Sequence, residues 1–246
     1  MNLINEVKKK KELRYLPDSI VKRALNRTHN NVKDSRALLR KYFGVFLTNR
    51  VLKGKGSIEE ILKTHISSKK RNYESIYREI FKITEIVGSV IDLGAGVNGF
   101  SYKYLREFAG PVEYIGIEAS GQLVDQMNNY FKNEGLETSC KGFHLDLFNI
   151  SEIKKILRKS TKKRLVFMFQ VIDALENLQK NFSKEFIIEI AKESEIIVLT
   201  LSTTSLSGRK KFQVKRTWIT RFLEENFNIK RDFNLNGERI IIFDKK

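Results

Sequence analysis

The chain of 246 residues has little cysteine, proline or histidine: one Cys, two Pro and three His. A lone cysteine, Cys140, can build neither a disulfide framework nor a Cys-based metal site. His29, His65 and His144 are scattered without ligand spacing, so no metal is expected. No apolar run approaches the ~20 residues a membrane span needs, which sets membrane partners aside. The opening stretch MNLINEVKKKKELR has no apolar segment behind its charges, so a secretory signal is not expected. A soluble protein of the reducing cytoplasm is the expectation that follows. Pro17 and Pro111 leave no Pro-rich spacer, and neither an internal repeat nor a low-complexity linker is visible.

What the chain has in excess is positive charge. Its formal net charge is +17, and 41% hydrophobic residues suffice for a sizeable core. Residues 1–82 hold 21 basic and 8 acidic side chains, a balance of +13, which leaves +4 for the rest. That asymmetry suggests a polyanion-facing first third ahead of an ordinary domain. Two domains are therefore expected: a basic helical unit over 1–82 and an α/β unit over 83–246.

The first third reads as helical. Residues 32–46 set Val32, Leu38, Leu39, Tyr42, Phe43 and Phe46 on one face, and Pro17-Asp18-Ser19 caps a short helix before it. Lys53-Gly54-Lys55-Gly56-Ser57 reads as a mobile basic loop. Tyr73, Ile76, Tyr77, Ile80 and Phe81 then mark a helix from about Ser68 to Val87, with a stripe that reads as core. After Gly88 short apolar runs alternate with helical stretches. Ser89–Leu93, Val112–Ile117, Leu165–Phe169 and Ile196–Leu201 read as strands, and Gly99–Phe108, Gln122–Asn133, Ser151–Lys159 and Leu175–Lys192 as helices. Such alternation predicts a parallel sheet of β-α-β units. Asn228–Leu235 and Glu238–Phe243 flank Asn236-Gly237, a type I′ hairpin signal. A parallel sheet closed by an antiparallel C-terminal hairpin is the layout of the class I, Rossmann-like methyltransferase fold with its seven-stranded sheet.

The central chemical signal is Val90-Ile91-Asp92-Leu93-Gly94-Ala95-Gly96-Val97-Asn98-Gly99, a strand, a glycine turn and a helix. Gly94 and Gly96 let the backbone pass close to a ligand. The same residues fit G-x-G-x-x-G, so the glycines alone do not decide between a dinucleotide and another nucleoside cofactor. Asp92, just before them, supplies a carboxylate able to hold the ammonium of S-adenosylmethionine. Glu118, ending Tyr114-Ile115-Gly116-Ile117-Glu118, can accept from two ribose hydroxyls, a feature shared with NAD enzymes. Asp146, in His144-Leu145-Asp146-Leu147, can receive an adenine amino group. The order Asp92, Glu118, Asp146 favours S-adenosylmethionine. The fourth strand runs into Val171-Ile172-Asp173-Ala174-Leu175-Glu176 without the Asp/Asn-Pro-Pro-aromatic motif of exocyclic-amine methylation. Cys140, read as preceding the third strand, is no cytosine-C5 nucleophile. Guanine N7 carries a free lone pair, so methylating it needs alignment rather than a general base.

Four segments carry a family resemblance. Thr64-His65-Ile66-Ser67-Ser68-Lys69-Lys70-Arg71 resembles the His-x-Ser-Thr-x-Glu-Arg segment of the aminoglycoside-resistance 16S rRNA (guanine-N7) methyltransferases, the Arm/FmrO-like family. Leu39–Phe46 is similar to its helix ending Tyr-Gly-Ala-Tyr/Phe. Phe169–Glu176 is similar to its Leu-Lys-x-x-Pro-x-Leu-Glu stretch, and Leu201–Arg209 to its Phe-Pro-Thr-x-Ser-Leu-Gly-Gly-Arg loop. The resemblance implies methylation of N7 on a decoding-site guanine of 16S rRNA in the small ribosomal subunit, with S-adenosylmethionine as donor, and a monomer is expected. It implies that Arg71 clamps the cofactor carboxylate, that His65, Ile66 and Ser67 shape that pocket, and that Phe46 closes it. Gly94, Ala95, Gly96, Glu118, Asp146, Leu147 and Phe169 would line the cofactor. Glu176, Ser205 and Arg209 would lie near the target base, with Gln170 standing where the family has lysine. Asp173 and Gly99 replace prolines of the family, and Lys70 replaces an acid.

Phosphate contacts supply sequence-independent RNA affinity. The expected contacts are Lys8–Lys11, Arg36, Arg40, Lys41, Arg50, Lys53 and Lys55, with Arg209, Lys210, Lys211, Lys215 and Arg216 beyond the fifth strand. Two other readings stay open: a methyltransferase of tRNA or another RNA, and an inactive RNA-binding or ribosome-assembly protein that keeps the cofactor fold.

Overall fold

The computed structural model describes residues 2–43, 57–64, 71–84, 87–203 and 216–246. A seven-stranded sheet runs in the order β3-β2-β1-β4-β5-β7-β6. Its strands are β1 (Ser89–Leu93), β2 (Glu113–Glu118), β3 (Cys140–His144), β4 (Arg164–Phe169), β5 (Ile196–Ser202), β6 (Phe227–Leu235) and β7 (Glu238–Lys245). The first five are mutually parallel, whereas β7 pairs antiparallel with both β5 and β6. This is the fold class expected from the alternating pattern and the closing hairpin. Asn236 and Gly237 both take positive φ, 52° and 84°, as a type I′ turn demands.

Burial explains the strand composition. β1 is buried at every position, so its apolar residues Val90, Ile91 and Leu93 do not alternate with exposed ones, and Ser89 and Asp92 are buried with them. Edge strand β6 alternates buried or half-buried residues with exposed ones and carries Lys230 and Asp232, which suits a strand with one wet face.

Helices cover both faces. One face packs α4 (Ile58–Thr64), α5 (Tyr73–Phe81), α6 (Tyr102–Ala109) and α7 (Gly121–Asn133) on Val90, Tyr114 and Phe167. The other packs α8 (Ile150–Lys159), α9 (Ile172–Leu178), α10 (Phe182–Ala191) and α11 (Thr217–Asn226) on Ile91, Val166 and Leu199. A third cluster gathers α1 (Leu3–Lys8), α2 (Asp18–Arg27) and α3 (Val32–Tyr42), and it reaches Ala119 and Leu178 of the sheet unit. Helices α4 and α5 lie on the basic side of residue 82, yet Ile61, Leu62, Ile76 and Tyr77 belong to the core of the sheet. The charge boundary therefore does not coincide with a packing boundary.

Several expected boundaries change for local reasons. The helix expected from Ser68 to Val87 spans only Tyr73–Phe81, because the Asn72 side chain caps it by accepting from the Ser75 N–H at 2.9 Å. Helix α4 was expected as part of no element, and Ser57 as part of a loop. Ser57 and Glu60 instead form a reciprocal capping box, each side chain accepting from the other's N–H at 3.3 Å. The single helix expected over Leu175–Lys192 breaks into α9 and α10 at Asn181, which is left-handed with φ 65°. Cys140 lies in β3 rather than before it, and is buried. The expected loop residues Lys53–Gly56 fall outside the described residues. Among the described residues no helix is long and apolar enough to cross a membrane, and no group of three His, Cys, Asp or Glu could hold a metal ion.

Candidate active site

In an open α/β sheet a ligand crevice forms where the strand order reverses, beyond the carboxyl ends of the strands. Here that point lies between β1 and β4, and a cavity occupies it. Its wall combines Gly94 and Gly96 after β1, Glu118 at the end of β2, Asp146 and Leu147 after β3, and Phe169 and Gln170 at the end of β4. Ile20 of α2, with Tyr42 and Phe43 at the end of α3, covers it from the N-terminal helices.

The glycine turn shapes the floor. Gly94 has φ 76°, and a Cβ there would stand 2.4 Å from Val171 Cγ1. Only glycine meets both conditions. The Gly94 and Ala95 amides donate to the Ile117 carbonyl at 2.8 and 3.0 Å, which ties the turn to β2. Glu118 is aimed by the same turn: its carboxylate accepts from the Gly96 N–H at 3.0 Å and the Ser120 N–H at 2.8 Å. Burial pushes its pKa up while these amide bonds oppose the rise. Each oxygen keeps acceptor capacity for a hydroxyl. Asp146 accepts from the Phe148 N–H at 2.9 Å and from the Ser19 hydroxyl of α2. Gln170 closes the wall with φ 59°, an uncommon conformation for a non-glycine residue, and its N–H donates to Thr200 O at 3.1 Å.

Arg71 and Asp92 stand behind this wall, in a buried polar network. The Arg71 Nε and Nη2 donate to the two Glu238 carboxylate oxygens at 2.9 and 3.0 Å, and Nη1 donates to Asn98 Oδ1 at 2.8 Å. The guanidinium sits 4.9 Å from the centre of the Phe169 ring, which itself lines the cavity. Burial works against the Arg71 charge, but Glu238 with Tyr73 and Tyr77 outweighs it and raises the pKa. Thr200 completes the pair by donating to Glu238 at 2.6 Å.

Asp92, expected to meet an ammonium, is fully buried and does not line the cavity. Its Oδ2 accepts from Asn98 Nδ2 at 3.0 Å and from the Tyr114 hydroxyl at 2.9 Å, and its Oδ1 is buried without a hydrogen-bond partner. The reason is depth along the strand: Asp92 points to the same face as Val90, toward α5 and α6, and pairs with Gly116, two residues short of the cavity-lining Glu118. Burial pushes its carboxyl up to about 6, against those two bonds.

Other expected site residues have partners within the chain. The Glu176 carboxylate, expected beside the target base, accepts from the Asn181 N–H at 2.5 Å and from the Ser183 hydroxyl, so it fastens the start of α10. Arg36 donates to the Glu6 carbonyl, and Arg40 pairs with Glu12 at 2.7 Å. Both therefore help to hold the N-terminal helices together, and the Arg40 side chain stays 43% exposed. Lys41 is exposed. Arg216, expected on the RNA rim, has a buried side chain that donates to Asp173 Oδ1 at 3.1 Å and to the Ser202 carbonyl at 2.6 Å. Phe46, Arg50, Lys53, Lys55, His65, Ile66, Ser67, Ser205, Arg209, Lys210 and Lys211 lie outside the described residues.

Sequence reasoning passed over Asn98, Tyr114, Thr200 and Glu238. Asn98 was legible as a polar residue inside the glycine turn. Glu238 carried no signal, because only pairing of β5 with β7 brings it to Arg71. Ser19 was legible only as a helix cap.

The residues present suit a nucleoside ligand: two buried strand-end carboxylates able to accept from hydroxyls and an amine, a close-approach glycine turn, and aromatic cover. No protein-family model matches the chain. A curated protein of Proteus mirabilis, the "16S rRNA (guanine(1405)-N(7))-methyltransferase", is 23% identical over 189 residues, covering 76% of this chain. The match spans 60% of that protein's length. The crystal structure of the 16S rRNA methyltransferase RmtF in complex with S-adenosyl-L-homocysteine has a TM-score of 0.79 at 17% identity, covering 99% of this chain and 97% of that one. The structure of the 16S rRNA methylase ArmA gives 0.60 at 20% identity, over 80% and 95% of the two chains. The chain therefore shares the class I methyltransferase fold of these solved structures, and three-quarters of its sequence is similar to a curated 16S rRNA (guanine-N7) methyltransferase.

Proposed function

We propose that the protein is an S-adenosylmethionine-dependent methyltransferase acting on N7 of a guanine in the decoding-site helix of 16S rRNA. The observation that carries this reading is the cavity at the strand-order reversal, whose wall holds Glu118 and Asp146 at successive strand ends. When bound, S-adenosylmethionine supplies an electrophilic methyl group on a sulfonium. Glu118 accepts from the ribose hydroxyls, Asp146 accepts from the adenine amino group, and Arg71, which lies behind the wall against Phe169 and does not itself line the cavity, is the cation assigned to the carboxylate. Ile20, Tyr42 and Phe43 exclude water from the cavity. N7 needs no proton removed, so the chain's task is to hold the base in line and dry. Gln170, at the end of β4, adjoins the route by which a base would enter.

The substrate reading rests on charge and on the curated relative. Lys10, Lys11, Arg14, Lys22, Arg27, Lys33 and Lys41 are all exposed on the N-terminal helices. Such a surface suits the phosphate-dominated, shape-led binding of folded RNA. We assign the protein to the cytoplasm, as a monomer that meets rRNA within the small subunit.

The test is incubation of purified small ribosomal subunits with methyl-labelled S-adenosylmethionine, followed by mapping of N7-methylguanine. Label at a decoding-site guanine is the expected result. Label in tRNA alone would move the substrate to that RNA. No label in any RNA, with cofactor still bound, would leave a binding protein.

A further inference from the structure

The C-terminal hairpin contributes one side chain to the network behind the cavity, and that side chain is held from two directions. We propose that Glu238 is a positioning residue that aims Arg71 at the carboxylate end of the cofactor; this rests on the cofactor reading above. Glu238 opens β7 directly after the Asn236-Gly237 turn and lies opposite Ser202 of β5. Its carboxylate spans the Nε–Nη2 edge of Arg71, and the side chains of this pair are only 3% and 5% exposed. Thr200 fixes the same carboxylate from β5. Two adjacent strands thus clamp the acid, so it is a fixture of the sheet and not a mobile stand-in for the ligand.

The guanidinium has five N–H groups, and the bonds to Glu238 and Asn98 use three. Tyr73 hydrogen-bonds to the guanidinium as well, which still leaves an N–H for a second carboxylate while Glu238 stays in place. The Phe169 ring, which lines the cavity, lies 4.9 Å from the guanidinium and links it to the cavity wall. An arginine held in this way loses little freedom when it binds, which favours affinity. Glu238 also offsets the buried charge, without which a desolvated guanidinium in an apolar setting is costly.

The test compares two probes by calorimetry on the full chain: S-adenosylhomocysteine, and 5′-methylthioadenosine, which keeps the adenosine and sulfur but has no amino-acid end. Glu238→Gln keeps the shape and removes the charge, and should weaken S-adenosylhomocysteine about tenfold (~1.4 kcal/mol) while changing methylthioadenosine less than about twofold. Thr200→Val, a milder change that leaves the charge pair intact, should shift affinity in the same selective direction by a smaller factor. Equal losses for both probes would reduce Glu238 to a structural role and overturn the proposal. Unchanged affinity, or a gain for S-adenosylhomocysteine, would overturn it as well. Failure of the wild type to bind either probe would instead remove the cofactor reading on which it rests.

Discussion

Replacing Asp92 by Asn gives a prediction whose sign and size both follow from burial. Asp92 is fully buried, and its carboxyl is pushed from 3.8 to about 6 by the loss of solvent around it. A carboxyl whose folded pKa is raised favours folding in its neutral form. Its contribution is complete below about pH 4 and is lost as pH rises through 6. Two pKa units at 1.36 kcal/mol each give roughly 3 kcal/mol, as an order of magnitude. Asn mimics the neutral acid at every pH and can still accept from Tyr114 and Asn98. Its new amide N–H₂ meets no partner where Oδ1 was orphaned, a fixed cost of about 1–3 kcal/mol that does not vary with pH. The informative quantity is therefore the change with pH, not the absolute difference. Urea unfolding of both proteins between pH 4 and 7 should show the variant gaining about 3 kcal/mol on the wild type, most of it between pH 4 and 6. A flat difference, or one that runs the other way, would refute the claim that Asp92 is held inside the protein at an energetic disadvantage. Comparing the two proteins also cancels the surface carboxylates of Glu12, Glu79 and Glu193, whose pKa values are lowered and whose effect has the opposite sign.

Gly94→Ala combines a disfavoured φ of 76° with a Cβ 2.4 Å from Val171, and should cost about 2–4 kcal/mol in chemical denaturation; a loss under about 0.5 kcal/mol would mean the turn can relax. Glu118→Gln leaves one of the Gly96 and Ser120 amides facing an N–H₂ group and removes an anionic acceptor, so calorimetry should record roughly a tenfold loss of S-adenosylhomocysteine affinity. Lys22→Glu and Lys41→Glu should weaken binding to small ribosomal subunits and flatten its salt dependence by about one unit of slope per lost phosphate contact, with cofactor affinity unchanged. Arg40→Glu, by contrast, faces Glu12, and should show first as a lowered melting temperature.

Periodicity exposed the centre of the sheet because β1, β2, β4 and β5 are short and buried on both faces, leaving apolar runs that helices of the same length would not need. The hairpin was legible for a different reason: Asn236 and Gly237 are among the few residues that tolerate two consecutive positive φ angles. Glu118 and Asp146 were legible because strand-end acids after a glycine turn have a spacing set by the β-α unit. The break at Asn181 was missed because Leu175–Lys192 keeps a helical apolar rhythm on both sides of one left-handed residue. Helix α4 was missed although Ser57 and Glu60 spell a capping box, since two flanking glycines suggested a loop.

Local chemistry along the chain settled the strands, the glycine turn and the two strand-end acids, because each depends on neighbours within a few residues. Which charges are available depends on distance across the fold. Arg36, Arg40 and Arg216 count toward the net charge of +17 in the sequence, yet the folded chain spends them on the Glu6 carbonyl, Glu12 and Asp173. Asp92 and Glu118 look equivalent in sequence as acids at or near the ends of neighbouring strands. Both face the same side of the sheet, but Asp92 pairs with Gly116, two residues short of Glu118, so the first sits one step deeper in the core and the second reaches the cavity wall. Arg71 and Glu238 lie 167 positions apart, and only the antiparallel placing of β7 beside β5 makes them partners.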